Sequence, residues 1–380
     1  MNIVLLPTSY PNIYNQNSSI FVQDQAESLA KNGVDVSIVG AIPISFKYIF
    51  NKKIFKFGNF KTEKDGVKSH LFLYPTIPKL RKFNQYLRDK INRYLLKKYL
   101  VSNKIDLLHV HNAAAGESAQ WMKRKYNIPY VVTEHSSAFA RNTISKKEIL
   151  NYFDIYNKSS KNIAVSQEFA YLLSSIYDLD FQYIPNIVDT AYFKLDNKSK
   201  NKEFNFINIA NLNKNKNQMM LINAFYKSFK DNRNVKLTIL GSGPEYRNLQ
   251  KEIDRLKMNE QIKLFGFATR EQVLKELQTS DTFVLSSKYE TFGVVIIEAM
   301  SCGIPVVSTK CGGPESIIEN ESLGVLVENN DVQLLSEAML KIQTIKYNHN
   351  YIREYTIDNY SQKIIARQLK KIYENIINEH

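Results

Sequence analysis

Cysteine is scarce: Cys302 and Cys311 are the only two among 380 residues. Two thiols build neither a metal cage nor a disulfide framework, so both are expected as small buried side chains in a reducing compartment. A long apolar run is also missing, since no stretch of about 20 hydrophobic residues occurs. The opening M-N-I-V-L-L-P enters a strand-like segment without a basic leader or a small-residue cleavage site. Together these absences lead to the expectation of a cytoplasmic chain. No H-x-E or H-E-x-x-H pair is present, so no metal is expected. Acidic residues are outnumbered, 37 Asp and Glu against 51 Lys and Arg, which leaves a formal net charge of +14.

That imbalance is uneven. Residues 1–185 carry 25 Lys and Arg against 14 Asp and Glu, net +11, whereas residues 186–380 carry 26 against 23, net +3. The excess concentrates in F-K-Y-I-F-N-K-K-I-F-K-F-G-N-F-K-T-E-K (46–64) and K-L-R-K-F-N-Q-Y-L-R-D-K-I-N-R-Y-L-L-K-K-Y (79–99), where cations alternate with aromatics. Such interleaving suits an anionic bilayer or nucleic acid, and equally the solvated face of an ordinary domain. No nucleic-acid-binding module accompanies it, so nucleic acid is not expected as a partner.

At 380 residues the chain suits two domains. In the first half, Ile3 to Leu6, Val34 to Val39, Leu107 to Val110, Tyr130 to Thr133 and Ile163 to Val165 read as short buried strands. Helical periodicity fills 21–31, Ala113 to Lys125 and Lys146 to Lys158 between them. The polar K-L-D-N-K-S-K-N-K-E (194–203) reads as a linker. Strands then recur at Phe204 to Ile209, Leu237 to Leu240, Ile262 to Phe265, Thr282 to Leu285 and Pro305 to Ser308, alternating with helices near 217–230, 244–257, 269–278 and 292–302. The tail from Ile357 to Ile377 carries one more helical stripe, which must pack on something. Strand-helix alternation predicts two doubly wound parallel sheets, with ligands at the carboxyl ends of the strands and a cleft between the domains as the natural site.

The most informative segment is S-K-Y-E-T-F-G-V-V-I-I-E-A-M-S-C-G-I-P-V-V (287–307). Were it helical throughout, Glu290 and Glu298 would lie about 12 Å apart along the axis and about 80° around it. They could not act as a close acid/base pair. With Glu290 in a loop and a helix starting near Thr291, the two carboxylates could touch opposite parts of an elongated ligand. Backbone N–H groups at Phe292, Gly293 and Val294 would then favour an anion.

Y-E-T-F-G-V-V-I-I-E-A-M-S-C-G-I-P-V-V, with C-G-G-P-E (311–315) and G-V-L-V (324–327), resembles the donor-site signature of glycosyltransferase family 4, retaining sugar transferases of GT-B architecture. Y-I-P-N-I-V-D-T-A-Y-F (183–193), N-L-N-K-N-K-N (211–217), G-S-G-P-E (241–245) and F-G-F (265–267) follow the family order. F-V-Q-D-Q-A (21–26), D-L-L-H-V-H (106–111) and V-V-T-E-H-S (131–136) do so in the first half. The resemblance implies a fold of two Rossmann-like domains, 1–190 for the acceptor and 191–356 for the donor, with a helix over 357–380 returning to the first.

By that resemblance Glu290 contacts the donor sugar, Phe292, Gly293 and Val294 bind the diphosphate beside Thr291, and Glu298 holds the ribose. Lys216 stabilises the leaving diphosphate, with Lys214 as its rival. Gly241 supplies a turn near the donor, Phe267 lies beside the base, and His135 stands near the reacting sugar. Ser19 and His111 are acceptor-side candidates; the alternation of His109 and His111 puts both on one face if the strand runs through them. Two positions depart from the family pattern. Asn211 stands where an Arg is usual, and N-Q-N-S-S-I-F (15–21) replaces a glycine-rich loop.

The resemblance implies metal-independent transfer without a cofactor, from a nucleotide-sugar, UDP-linked by preference, to a glycan or lipid-linked hydroxyl. The basic first half adds an anionic inner-membrane surface as a partner, which points to capsule, O-antigen or related glycan synthesis. A non-catalytic scaffold of a glycan-assembly complex and a sugar-nucleotide epimerase of the same fold are the competing expectations.

Overall fold

The computed structural model describes residues 1–16, 18–46, 49–50, 55–196 and 203–380. Asn17 of the 15–21 loop, residues 47–48 and 51–54 of the first basic-aromatic stretch, and 197–202 of the expected linker lie outside the described residues. Two compact units form: Met1–Ile187 with Gln362–His380, and Val188–Ser361.

The first unit is built on an eight-stranded sheet, ordered β3-β4-β2-β1-β5-β6-β7-β8. Its strands are β1 (Asn2–Pro7), β2 (Asp35–Ile44), β3 (Gly58–Lys64), β4 (Val67–Pro75), β5 (Leu107–His111), β6 (Tyr130–Glu134), β7 (Lys161–Ala164) and β8 (Gln182–Tyr183). All neighbours are parallel except β3, which pairs antiparallel with β4. That hairpin turns on Asp65 and Gly66, both at positive φ (50° and 78°), the geometry in which Asp-Gly closes a two-residue turn. Central β1, β5 and β6 are buried along nearly their whole length. This is why they read as unbroken apolar runs: helices cover both faces of a parallel sheet.

Helices α1 (Ile20–Lys31), α2 (Arg81–Leu100), α3 (Gly116–Tyr126), α4 (Lys146–Asn157) and α5 (Gln167–Tyr177) supply the crossovers. The basic stretch 79–99 is therefore mostly one helix, anchored by Asn92, whose Oδ1 accepts the Ala41 N–H at 2.7 Å. Ala113 to Lys125 is not one helix, because Ala113–Ala115 form a 3-10 turn before α3 begins.

The second unit carries a six-stranded, all-parallel sheet ordered β11-β10-β9-β12-β13-β14. Its strands are β9 (Phe204–Ile209), β10 (Val235–Leu240), β11 (Ile262–Gly266), β12 (Thr282–Leu285), β13 (Val306–Thr309) and β14 (Gly324–Val327). The helices are α6 (Gln218–Phe229), α7 (Tyr246–Leu256), α8 (Arg270–Gln278), α9 (Val294–Ser301), α10 (Val332–Thr344) and α11 (His349–Tyr360). Phe206, Phe225 and Phe229 pack ring to ring at the centre of this unit's core, and each fully buried ring contributes about 1.5–3 kcal/mol. In this sheet the order reverses between β9 and β12, and in the first sheet between β1 and β5. These are the switch points where doubly wound sheets bind ligands.

The tail departs from the expected single helix over 357–377. Ser361 takes an extended conformation (φ −66°, ψ 154°) and bridges to Val188, ending α11. A new helix, α12 (Gln362–Glu379), then joins the first unit. Its Ile365, Ala366, Leu369 and Tyr373 enter the core shared with Val22, Ala26 and Leu29 of α1. Ser28 Oγ donates to the Gln362 carbonyl at 2.6 Å.

Candidate functional site

In the second unit, the loops after β9 and β12 are stitched together at the switch point. Asn213 Oδ1 accepts the N–H groups of Asn215 and Lys216 at 3.0 and 3.2 Å, curling the first loop. Asn215 takes the Lys288 N–H at 2.7 Å, and Ser286 Oγ donates to the Lys216 carbonyl at 2.9 Å. The curl aims Lys216 at the second loop, where its Nζ pairs with Glu290 Oε1. Ser287 Oγ donates to the same carboxylate oxygen at 2.7 Å. The pair is mostly shielded, with side-chain exposures of 22% for Lys216 and 13% for Glu290. Lys214 is exposed, so Lys216 is the cation that this loop presents to the carboxylate.

Glu290 is held from behind. Its N–H donates to the Cys311 carbonyl and its own carbonyl accepts the Gly313 N–H, both at 2.9 Å. This explains C-G-G-P-E: a Cβ at Gly313 would lie 2.3 Å from the Phe292 carbonyl oxygen. Gly241 has a parallel role. A Cβ there would stand 1.8 Å from the Ala210 carbonyl oxygen, so the glycine lets the β10 loop close on the segment holding Asn211, which is itself exposed.

The helix after Glu290 starts three residues later than Thr291. Gly293, at φ 101°, is the N-cap of α9 and no side chain caps it. Phe292 is buried against Tyr360, with centroids 6.0 Å apart. The start of α9 thus offers backbone from Gly293 and Val294, while the Phe292 ring serves the core. Thr291 and Glu298 are half-buried, and Phe267, just beyond β11, is exposed. Burial pushes the Cys302 thiol up to about 12 and Cys311 higher still, so neither thiol is a nucleophile at neutral pH.

At the switch point of the first unit, β5 runs through both histidines, putting His109 and His111 on one buried face with rings stacked at 4.5 Å. His111 stacks on His135 at 5.3 Å, and His111 Nδ1 lies 3.0 Å from His135 Nε2. Phe21 of α1 covers His135 at 4.6 Å. His109 contacts Thr133 Oγ1 at 2.7 Å and, at 2.6 Å, the hydroxyl of Tyr373 from α12. Burial holds all three imidazoles below the usual range, His111 at about 3. Ser19, the N-cap of α1, adopts the left-handed conformation (φ 47°, ψ 46°) and bonds Ser9 through its hydroxyl at 2.5 Å. A serine thus supplies the turn for which glycine is the usual solution.

Two residues without an assigned role in the sequence hold the His135 loop. Glu134 is buried; its Oε1 accepts the N–H groups of His135 and Ser136, and its Oε2 those of Ala113 and the Tyr156 hydroxyl, at 2.6–3.0 Å. Burial raises its pKa, against the pull of these four donors. Asn112 accepts the same His135 N–H at 3.0 Å and donates to Thr8 at 2.8 Å. A carboxylate inside the apolar run V-V-T-E was the available signal, since a buried charge requires partners.

Two family models cover nearly the whole chain between them: Glycosyltransferase Family 4 over residues 18–192 and Glycosyl transferases group 1 over residues 192–375. The chain belongs to glycosyltransferase family 4. This family 4 glycosyltransferase is 24% identical over 295 residues to N-acetyl-alpha-D-glucosaminyl L-malate synthase of Bacillus anthracis, a match spanning 72% of this chain and 76% of the relative. Sucrose-phosphate synthase from Thermosynechococcus elongatus superposes with a TM-score of 0.80 at 17% identity, covering 100% of both chains. Anabaena HepE in complex with UDP and glucose gives 0.74 at 18% identity, over 98% of this chain and 99% of that one. The fold of the family 4 glycosyltransferase is accordingly GT-B. Among its described residues no helix is long and apolar enough to cross a membrane.

Proposed function

We propose that the chain is a retaining hexosyltransferase that moves a sugar from a UDP-sugar to a hydroxyl of a lipid-linked or oligosaccharide acceptor in bacterial capsule, O-antigen or related glycan synthesis. The observation that carries this reading is the Lys216–Glu290 pair at the β9/β12 switch point. An ammonium has three protons, so Lys216 can keep Glu290 while donating to a diphosphate oxygen. Glu290 accepts from the sugar hydroxyls, and the start of α9 at Gly293 and Val294 adds backbone donors to the phosphates. Glu298 takes the ribose and Phe267 the base. The UDP preference draws on HepE, whose structure holds UDP.

In the transfer, the bond from the anomeric carbon to the diphosphate oxygen breaks and the acceptor oxygen bonds to that carbon. The acceptor proton passes to the departing phosphate oxygen. Positive potential from Lys216 and the helix start stabilises the leaving diphosphate, and this preorganisation is the main catalytic device. No metal or cofactor enters the scheme.

The first unit takes the acceptor at the cytoplasmic face of an anionic membrane. Support comes from its charge and from its exposed apolar side chains: Phe50, Phe55, Leu80, Tyr86 and Leu150 are each at least half exposed. Lys90 and Lys98 lie over the rings of Tyr86 and Tyr94. The Thr76 N–H donates to the Ile44 carbonyl at 2.9 Å, so the ends of β2 and β4 lie side by side. Cations among aromatics suit a headgroup layer.

The test is UDP release from a panel of UDP-sugars with bacterial lipid extract in anionic or zwitterionic vesicles. Release that depends on acceptor lipid, is faster on anionic vesicles and yields a product with the donor's anomeric configuration is expected. Conversion of the donor without acceptor would favour an epimerase, and nucleotide binding without any turnover a scaffold.

A further inference from the structure

We propose that Asn329 and Asn215 are positioning residues: their side-chain amides clamp the loop that carries Glu290, so the carboxylate meets the donor sugar already in place. The inference deepens the proposed transferase reading and rests on it for the sugar, though not for the clamp.

The loop 286–293 joins β12 to α9 outside the sheet, where backbone carbonyls are ordinarily left to solvent. Four in succession accept hydrogen bonds here. The Ser287 carbonyl accepts from Thr309 Oγ1 and the Lys288 carbonyl from Asn329 Nδ2, both at 2.7 Å. The Tyr289 carbonyl accepts from Asn215 Nδ2 at 3.0 Å, and the Glu290 carbonyl from the Gly313 N–H at 2.9 Å. The N–H groups of Lys288 and Glu290 are used as well, on the carbonyls of Asn215 and Cys311 at 2.7 and 2.9 Å. Donors thus reach this stretch from the ends of β9, β13 and β14, three strands of one sheet. A carboxylate on such a backbone keeps only its own side-chain torsions, and Lys216 and Ser287 hold those through Oε1. Preorganisation of this kind removes an ordering cost from binding.

Asn329 is itself fixed from both sides. It stands between β14, which ends at Val327, and Asp331, whose carboxylate caps α10 at the Leu334 N–H. Its neighbour Asn330 turns left-handed at φ 59°, a conformation that asparagine tolerates. The Asn329 Oδ1 is buried and has no hydrogen-bond partner among the described residues. Exchanging the amide oxygen and nitrogen would set two acceptors 2.7 Å apart, so the orientation is determined. A buried oxygen left unmatched is a cost, and the bond to Lys288 is what offsets it. Lys216 is anchored separately, through Asn213 Oδ1 and Ser286 Oγ. Loosening the Lys288 carbonyl therefore acts on the sugar contact of Glu290 and not on the diphosphate.

The clamp is tested by hydrogen–deuterium exchange of the whole chain, wild type against Asn329→Ala. A peptide over 286–291 is expected to exchange about fivefold faster in the variant, while peptides of β9 and β10 keep their rates. Unchanged exchange over 286–291, or equal acceleration through the whole unit, would overturn the clamp. Asn215→Ala, expected to act the same way, decides should Asn329→Ala fail to fold. The role toward the sugar is read from a double-mutant cycle with Glu290→Gln, by calorimetric titration with UDP, UDP-glucose, UDP-galactose and UDP-N-acetylglucosamine. Asn329→Ala is expected to leave the UDP dissociation constant within about twofold and to weaken the best-bound UDP-sugar about fivefold. That loss disappears in the Glu290→Gln background, because both changes act on one contact. An additive loss, or an equal loss for UDP, would sink the assignment to the sugar. If no nucleotide binds the wild type, the donor reading falls and the sugar role with it, while exchange still decides the clamp.

Discussion

Lys216→Ala is expected to lower kcat by about 10²- to 10³-fold, the usual cost of removing one preorganised group from a developing charge. In the proposed transfer the leaving diphosphate gains charge as the glycosidic bond breaks, and Lys216, the shielded cation that the β9 loop aims at Glu290, is the group proposed to meet that charge. Its partner supplies the complementary test. Glu290→Gln keeps an acceptor oxygen for Ser287 but loses the charge, so turnover falls while circular dichroism stays that of the wild type. Lys214→Ala is expected to leave turnover within about twofold, since surface substitutions away from a site rarely matter. Wild-type kcat in Lys216→Ala would remove this lysine from the mechanism, and a loss in Lys214→Ala would move the role there.

The second large effect is acid sensitivity of the first unit. His109, His111 and His135 titrate below the unfolded value of about 6.5 because burial disfavours their charged forms. A depressed folded value means that their stabilising contribution is present above about pH 6.5 and is lost as pH falls toward the folded values, about 3 for His111. Each histidine kept neutral by the fold adds a slope of about 1.4 kcal/mol per pH unit. From pH 7.5 to 5.5 the three therefore lose stabilising free energy together, all in the same direction. Glu134 has the opposite sign: its raised pKa means that protonation relieves a burial cost, and that relief comes only as pH falls through its folded value.

The single tryptophan, Trp121, lies in α3 of the first unit, so its fluorescence follows that unit alone. The urea midpoint read at Trp121 is expected to drop sharply between pH 7.5 and 5.5. An unchanged midpoint would contradict a neutral histidine column.

Most strands of the fold were legible because parallel strands buried on both faces announce themselves as short branched runs, as Leu107 to Val110 and Thr282 to Leu285 do. The hairpin β3–β4 escaped because its strand Gly58–Lys64 is an exposed edge full of lysine, although Asp65-Gly66 is a strong turn signal. The break at Ser361 was hidden because the apolar stripe of the tail continues across it. The break coincides with the bridge from Ser361 to Val188, a partner distant in sequence.

Glu290 and Lys216 could be picked out by motif, yet their ion pair joins residues 74 positions apart through two loops and left no trace in spacing. Ser19 met the demand for a glycine by accepting a left-handed backbone, which composition does not reveal. Glu134, Asn112 and Tyr373 escaped because what they do is hold other groups: each acts through hydrogen bonds that exist only once β5, β6 and α12 are assembled.

The central claim is that the second unit holds a nucleoside diphosphate sugar through Lys216, Glu290 and the start of α9. It is tested most directly by thermal-shift titration of the whole chain, wild type and Lys216→Ala, with UDP, GDP, ADP and their sugar conjugates. At about 100 times its dissociation constant a ligand stabilises the folded state by about 2.7 kcal/mol. The account predicts a saturable upward shift with UDP and a UDP-sugar, weakened in Lys216→Ala. No shift with any of these nucleotides, or the same shift in both proteins, would contradict it.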